Sequence, residues 1–531
     1  MVQTAVAGTQ VRQQELTRDE PLYDAVIIGG GINGTAAAQE LSRAGYSVLL
    51  CEKGDFAGGA SGRSSRMLHC GLRYFETPSP VRDFALHPRR FVSALSMARA
   101  AMEARADLAQ DDRVATRPIT LCFPVWPDSP VRRWHLSAGL RLLQALHTKG
   151  PSLDARILGA AEARRHPITQ DLRDLDRLQA MAAFREYLFA HPERLCLDAA
   201  LDAEAHGAAM ELFTTARIGD RQPDGTWRIA LEAPHGQRHV RARTVINMAG
   251  TWMESAGNIP GRLVRGTKGA HIVVRLPERY RDHGIATMHR GGHPFYCLPL
   301  GDEFFYFGPT ETPFEGDATD VAADQEDIDF LLGEANHLLP GLKLTRADVH
   351  QTWAGVRPLT WDPQRPMGAR ERILHDLESR GMPNVFAMTA GPVMSHRSAG
   401  REILDKVQGR LGSREPVNAQ SPARASASGA DLILPNRGGV PRQALLDAVT
   451  REHARDLYGV LVQRTGMVWQ GLLSREDAAA VADVIAGPLG WTDEDKVREV
   501  DAFLALQARR FAPPTPTPTP TASPDRNRPE G

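Results

Sequence analysis

Three stretches of different character predict an α/β chain, α+β overall, for this sequence of 531 residues. Tyr23 to Glu52 reads YDAVIIGGGINGTAAAQELSRAGYSVLLCE. An apolar run of strand length meets glycines, then an Ala-rich helical pattern, then a second apolar run, which is a βαβ unit. Strand-like segments recur as MELFTTARI, TWRIALEA and RARTVINMAG between 208 and 250, then as AHIVVRL, HPFYCLPL and EFFYFGPT. Residues 442–511 return to helical periodicity with no strand signal and predict a C-terminal all-α domain.

The remaining segments follow in order. Residues 1–20 are polar and aperiodic, a disordered arm. From about 80 to 200 the chain reads mostly helical, with Ala, Arg and Leu at helical spacing and prolines as punctuation. NVFAMTAG near 384 is a short buried strand, and SAGREILDKVQGRL the helix after it. Residues 411–441 are rich in Ser, Pro, Ala and Gly, the composition of a linker. Residues 512–531 form a Pro/Thr tail predicted to be extended and unfolded.

Composition narrows the function. The length exceeds what a single core supports, about 250–300 residues. Lys and Arg number 63 against 64 Asp and Glu, so no global field favours a polyanion and nucleic acid is not an expected partner. No apolar stretch approaches the ~20 residues that span a bilayer, and the first twenty residues lack a signal-type apolar core. Five cysteines (Cys51, Cys70, Cys122, Cys196, Cys297) are scattered without CxxC spacing, so neither a disulfide framework nor a metal site is expected. The expected setting is cytoplasmic.

Gly29, Gly31 and Gly34 form GxGxxG at the end of the first strand. The first permits a tight turn, the second lets backbone approach a pyrophosphate, and the third allows close helix–strand packing. Asn33 lies in the same turn, and Glu52 ends the next strand at the spacing of an acid on ribose hydroxyls. TVINMAG, with Ala249 and Gly250, looks like a second flavoprotein fingerprint. TAGPVMSHRSAG, containing Gly391, looks like a closing strand–glycine–helix element. Three such elements in this order favour FAD over NAD. The predicted architecture is a Rossmann-type FAD-binding domain in the region 21–410, its parts at about 21–80, 200–260 and 350–410. A mixed-sheet substrate domain interrupts it.

GDFAGGASGRSSRMLHCGLRYFE (Gly54 to Glu76) resembles the corresponding stretch of FAD-dependent glycerol-3-phosphate dehydrogenases and oxidases, D-amino-acid-oxidase-like FAD oxidoreductases. Those proteins carry a Ser-rich loop and a Lys-Leu-(Ile/Val)-His-Gly-Gly-Leu-Arg-Tyr pattern. Ser64, Ser65, Leu68, His69, Gly71, Leu72, Arg73 and Tyr74 match it, while Arg66 replaces Lys and Cys70 the first Gly. TKGAHIVV keeps Lys268, Gly269 and His271, FGPTETPFEGD is similar to the family's Gly-Thr-Thr-Asp turn, and WAGVRPL matches its Gly-(Val/Leu)-Arg-Pro-Leu. LVQRTGMVW and LGWTDEDKVREV look like its helical cap, so the likeness runs from about 22 to 505. One departure stands out. The family's closing element usually reads Gly-Gly-Lys, its Lys contacting substrate. Here Pro392 occupies that place, and Arg397 further along is kept.

The resemblance implies oxidation of a secondary alcohol of a polyol phosphate by hydride transfer to FAD, with quinone or oxygen as acceptor. Histidine suits the base because its pKa of ~6.5 lies near working pH. His69 is the first candidate; His271 and His396 rank behind it. Guanidinium binds phosphate oxygens bidentately, and the resemblance places Arg357 there, with Arg370 or Arg372 as a second contact left open. Lys268 is read either beside the flavin ring, where its charge favours the reduced anion, or as an exposed turn residue. The basic stretch 131–150 (Arg132, Arg133, Arg141, Lys149) carries Trp134, Leu136, Leu140, Leu143 and Leu146, and is read either as a lipid-interface helix or as a helix packed on its own core. The first reading puts the chain peripherally on the inner face of the cell membrane. Two further readings stay open: an FAD enzyme acting on a 2-hydroxy acid or amine, and a flavin-binding protein without turnover.

Overall fold

The computed structural model describes residues 20–75, 80–146, 150–422 and 431–515. The predicted arm, except residue 20, and the tail from 516 lie outside the described residues, as does Lys149.

The first sheet grows from the βαβ unit. Leu22–Ile28 pairs in parallel with Val48–Cys51 on one side and Gly236–Asn247 on the other, in register Ile28↔Cys51 and Ile28↔Asn247. Val385–Thr389 and Ile373–Asp376 extend it beyond Gly236–Asn247, Ala209–Glu211 closes the far edge, and the Thr215–Arg221/Trp227–Ala233 hairpin joins Gly236–Asn247. A strand buried on both faces is apolar throughout. Accordingly, Ala25 and Ile27 face a core with helices Ile32–Arg43, Pro192–Ala205 and His396–Leu411. Val26 and Ile28 face a second core with Trp227, Leu231 and Met253.

The second sheet runs Thr312–Pro313, Val264–Arg275, Phe304–Gly308, Pro294–Leu300, His283–Met288, Thr116–Val125, Ala180–Phe189 and Met67–Leu68; Gln351–Thr360 pairs along Val264–Arg275. It corrects the mostly helical reading of 80–200, because Thr116–Val125 and Ala180–Phe189 are ten-residue antiparallel partners. Pro118 and Pro124 read as punctuation, and Ala180, Ala182 and Ala183 as helix formers. Pairing across the sheet overrides both local preferences.

The C-terminal helices Arg442–Thr450, Arg475–Leu489 and Asp493–Arg510 share a core with this sheet. Trp469 meets Trp353 edge-on at 5.4 Å and Phe511 at 5.3 Å. Part of the predicted linker is tied down, since Val417 N donates to Arg43 O at 2.9 Å. Leu432–Ile433 pairs with Val440–Pro441 as a small ribbon. Helix Arg133–Leu146 buries Leu136, Leu140 and Leu143. Its apolar stripe is therefore spent on the protein's own core, which corrects the lipid-facing reading for those leucines. No described helix is long and apolar enough to cross a membrane.

Candidate active site

The first strand ends in a turn that only glycine fits. Gly29 has φ +112°, and a Cβ there would stand 2.6 Å from Met248 O. At Gly34 a Cβ would stand 1.9 Å from Gly29 O, so the helix Ile32–Arg43 packs its backbone directly on the strand end. That helix starts with no acid in its first turn, and Ile32 N donates to Ser61 Oγ at 3.0 Å. The remaining N–H groups and the helix dipole suit a phosphate. Glu52 accepts from Gly30 N at 2.7 Å and Gly54 N at 2.8 Å, so it braces the turn while lining the cavity. Burial raises its pKa, against the pull of those two hydrogen bonds.

A cavity of about 480 Å³ opens from this turn. Gly29, Gly31, Asn33, Glu52, Ser64, Ser65, His69, Ala249, Gly250, His271, Arg357 and Gly391 all line it. Gly34 stands behind the wall, where its lack of a side chain sets the packing. Asn247 shapes the second fingerprint by donating to Met253 O at 2.9 Å and accepting from Ala249 N at 3.1 Å. The closing element turns through Ala390 and Gly391, both at positive φ, and Ala390 N donates to Pro358 O at 2.9 Å. Pro392 lines the cavity and carries no charge there.

Strand register arranges the opposite wall. Thr267 faces Arg357 and Gly269 faces Gly355 across the Val264–Arg275/Gln351–Thr360 pair. The Arg357 guanidinium lies against Gly269, where a Cβ would come within 2.3 Å of Nη2. His271 stacks on Trp353 at 4.4 Å, and its Nε2 lies 3.2 Å from Tyr296 Oη. Burial, with Arg357 adding to it, holds the His271 pKa well below the ordinary value, so the ring is neutral. His69 is 7% exposed and meets the Tyr74 ring edge-on at 5.6 Å.

Side chains alternate along a strand, and Lys268 therefore points away from the wall that Gly269 and His271 form. Its Nζ sits 2.5 Å from Asp324 Oδ2 and 2.6 Å from Asp327 Oδ2, at the start of helix Gln325–Leu338. Burial opposes its charge, but the two carboxylates outweigh it and raise the pKa. Lys268 does not line the cavity, and neither of its sequence readings holds: it is a buried anchor for a helix. Arg397 is also drawn elsewhere, pairing with Asp107 at 2.9 Å and with Asp111. His396 is 4% exposed with Nδ1 3.0 Å from Val393 O, and burial drives its pKa down to about 4. Neither residue lines the cavity. Of the two open arginines, Arg370 lines the cavity and pairs with Glu311 at 2.5 Å. Arg372 is held by Ser395 O, Ser398 Oγ and Glu402 outside it.

Sequence reasoning missed Lys53, Arg63, Tyr458 and Arg510 in the cavity wall. Arg63 lies inside the Ser-rich loop and had that context as a signal. Tyr458 and Arg510 had none, being more than 400 residues from the glycine turn. No group of three or more metal-ligating side chains occurs among the described residues.

The model of the FAD dependent oxidoreductase family matches residues 24–405. The chain belongs to this family. It is 28% identical over 420 residues to a glycerol-3-phosphate dehydrogenase of Synechocystis sp., covering 74% of this chain and 71% of the relative. It is likewise 28% identical over 403 residues to a glycerol-3-phosphate dehydrogenase of Pseudomonas aeruginosa, covering 73% and 72%. Among solved structures, the glycerol-3-phosphate dehydrogenase of Bacillus halodurans complexed with FAD aligns at TM-score 0.66 and 20% identity, covering 93% of this chain and 96% of that one. The L-alpha-glycerophosphate oxidase of Mycoplasma pneumoniae with FAD bound aligns at 0.57 and 18%, covering 75% and 97%. The cofactor of this family, FAD, fits the residues present: a glycine cradle that side chains would fill, an acid-free helix N-terminus and Glu52 at the cavity edge.

Proposed function

We propose that this FAD-dependent oxidoreductase oxidises the secondary hydroxyl of glycerol 3-phosphate, or a similar polyol phosphate, to the ketone (dihydroxyacetone phosphate for the first), and passes the electrons to quinone. One observation carries the reading: His69 and Arg357, 288 positions apart in the chain, line the same cavity as the glycine turn. FAD, when bound, supplies the hydride acceptor. Gly29, Gly31, Asn33, Ser64, Ser65, Ala249, Gly250 and Gly391 hold it. Arg357 takes the phosphate in its fork-shaped guanidinium, seated on the bare backbone of Gly269. His69 accepts the hydroxyl proton at a ring nitrogen, with Tyr74 against its edge fixing the ring. His271 stays neutral, so it offers a hydrogen-bonding nitrogen without adding charge beside Arg357.

Two features favour a second reading, a substrate of lower charge such as a 2-hydroxy acid or an amine. Pro392 stands where the resembling family has Lys, and Arg370 is offset by Glu311. For the acceptor, peripheral contact with the inner face of the cell membrane draws support from exposed Leu86 (63%), Val92 (64%) and Trp134 (58%).

An anaerobic titration decides the substrate. Glycerol 3-phosphate should bleach the visible flavin band of the purified holoenzyme, and a quinone analogue should restore it faster than oxygen. Bleaching only by a hydroxy acid or amine selects the second reading, and no bleaching across the panel leaves a flavin-binding protein without turnover.

A further inference from the structure

One wall of the cavity comes from neither the fingerprints nor the second sheet. Asp456, Tyr458, Gln463 and Arg510 line it, and all four belong to the C-terminal helical segment. This wall is fastened to the first sheet by a buried ion pair. Arg464 pairs with Asp55 on the loop after the second strand, with side chains 1% and 8% exposed. Arg464 Nε and Nη2 also donate to Glu452 O at 3.0 and 2.6 Å. Gly459 makes the approach feasible, since a Cβ there would stand 2.8 Å from Asp55 Oδ2. Asp456, in the same wall, is held by Gly459 N at 2.6 Å.

Beside this junction two guanidiniums converge. Arg510, the last residue of helix Asp493–Arg510, lies 5.1 Å from the Tyr458 ring centroid, and Arg63 lines the same cavity. Arg510 Nη2 donates to Thr319 O at 3.0 Å and Arg63 Nη1 to Ala318 O at 3.3 Å. Neither arginine forms an ion pair among the described residues, and Arg510 Nε is buried without a hydrogen-bond partner. The two partly buried cations repel, Asp320 offsets this only for Arg63 and without an ion pair, and an anion between them lowers the cost. Arg63 follows Ser61 by two residues, and Ser61 Oγ touches the N-terminus of the helix after the glycine turn. The pair therefore opens beside the place where helix geometry favours a phosphate.

We propose that Arg63 and Arg510, oriented by Tyr458, clamp the pyrophosphate of the dinucleotide, which makes the C-terminal segment a working part of the cofactor site. The inference rests on FAD dependence and is separable from the choice of substrate. The test is made on deflavinated protein, with FAD affinity read from quenching of flavin fluorescence and with ADP and adenosine as competitors. Arg510→Gln and Arg63→Gln should each weaken FAD and ADP about tenfold, leave adenosine unchanged, and flatten the salt dependence of FAD binding. Arg510→Lys should recover part of the loss. Arg509→Gln, which removes a pair with Asp320, should match wild type. Equal FAD and ADP affinity in both Gln variants overturns the clamp, as does an equal loss for adenosine, which marks general damage to the wall. If Arg510→Gln does not fold, Arg63→Gln and Arg510→Lys decide by the same readouts. Wild-type protein that takes up no FAD would instead remove the flavin reading on which the clamp rests.

Discussion

At the scale of single residues, the proposed reaction divides its chemistry between His69 and Arg357, and each has its own signature. His69→Ala should slow flavin reduction by about 10²–10⁴-fold, the usual worth of a positioned base, with FAD retained; stopped-flow bleaching at saturating substrate measures it. Arg357→Ala should act mainly on KM for a phosphorylated substrate and little on one without phosphate. Gly269→Ala offers a second route to the same effect, because the new Cβ would displace the guanidinium from its seat 2.3 Å away. Neutral His396 bears on stability instead. Below pH ~6.5 the unfolded chain binds a proton that the native ring refuses until about 4, so stability falls as the pH drops through that window. Burial makes the window wide, worth roughly 3 kcal/mol, and His271, also depressed, adds in the same direction. The thermal midpoint should drop from pH 7 to pH 5, less steeply in His396→Gln. Glycine positions were legible at this scale because backbone sterics act within a few residues. Lys268 was not, since alternation along its strand, and hence its burial against Asp324 and Asp327, depends on which face the sheet turns inward.

At the scale of elements, helix Gln325–Leu338 is fixed by a capping box between Asp324 and Asp327 and by the Lys268 ammonium that both carboxylates grip. Lys268→Met leaves the buried Asp327 carboxylate facing Asp324 with no cation between them, and breaking such a pairing costs about 3–5 kcal/mol when burial is complete. Asp324 is exposed, so the expected loss is smaller, about 1–2 kcal/mol. Chemical denaturation should show this loss while the rate of flavin reduction stays at the wild-type value; a large fall in that rate would return Lys268 to the active site. The strands Thr116–Val125 and Ala180–Phe189 teach a related lesson. Their prolines and alanines mislead local reading, because an antiparallel partner supplies what propensity lacks.

At the scale of the whole molecule, the C-terminal helices bring Trp469 and Phe511 into the core that holds Trp353 and Leu298. A chain ending near residue 430 would expose that core and lose Tyr458 and Arg510 from the cavity. It should be recovered mostly as aggregate and without flavin, as size-exclusion chromatography and the visible spectrum would show. The βαβ unit, the three glycine elements, the FAD preference and the His69 and Arg357 candidates were determined by the sequence alone. The first two rest on short-range constraints, namely strand periodicity, positive φ and residue spacing, whereas His69 and Arg357 rest on the family resemblance of the segments that carry them. Tertiary structure alone decided that Arg370 and not Arg372 faces the cavity, that Lys268 and Arg397 are spent on ion pairs, and that Arg510 stands beside Arg63. Those outcomes depend on which distant surfaces bury each other, and packing of that kind leaves no periodic or spaced trace along the chain.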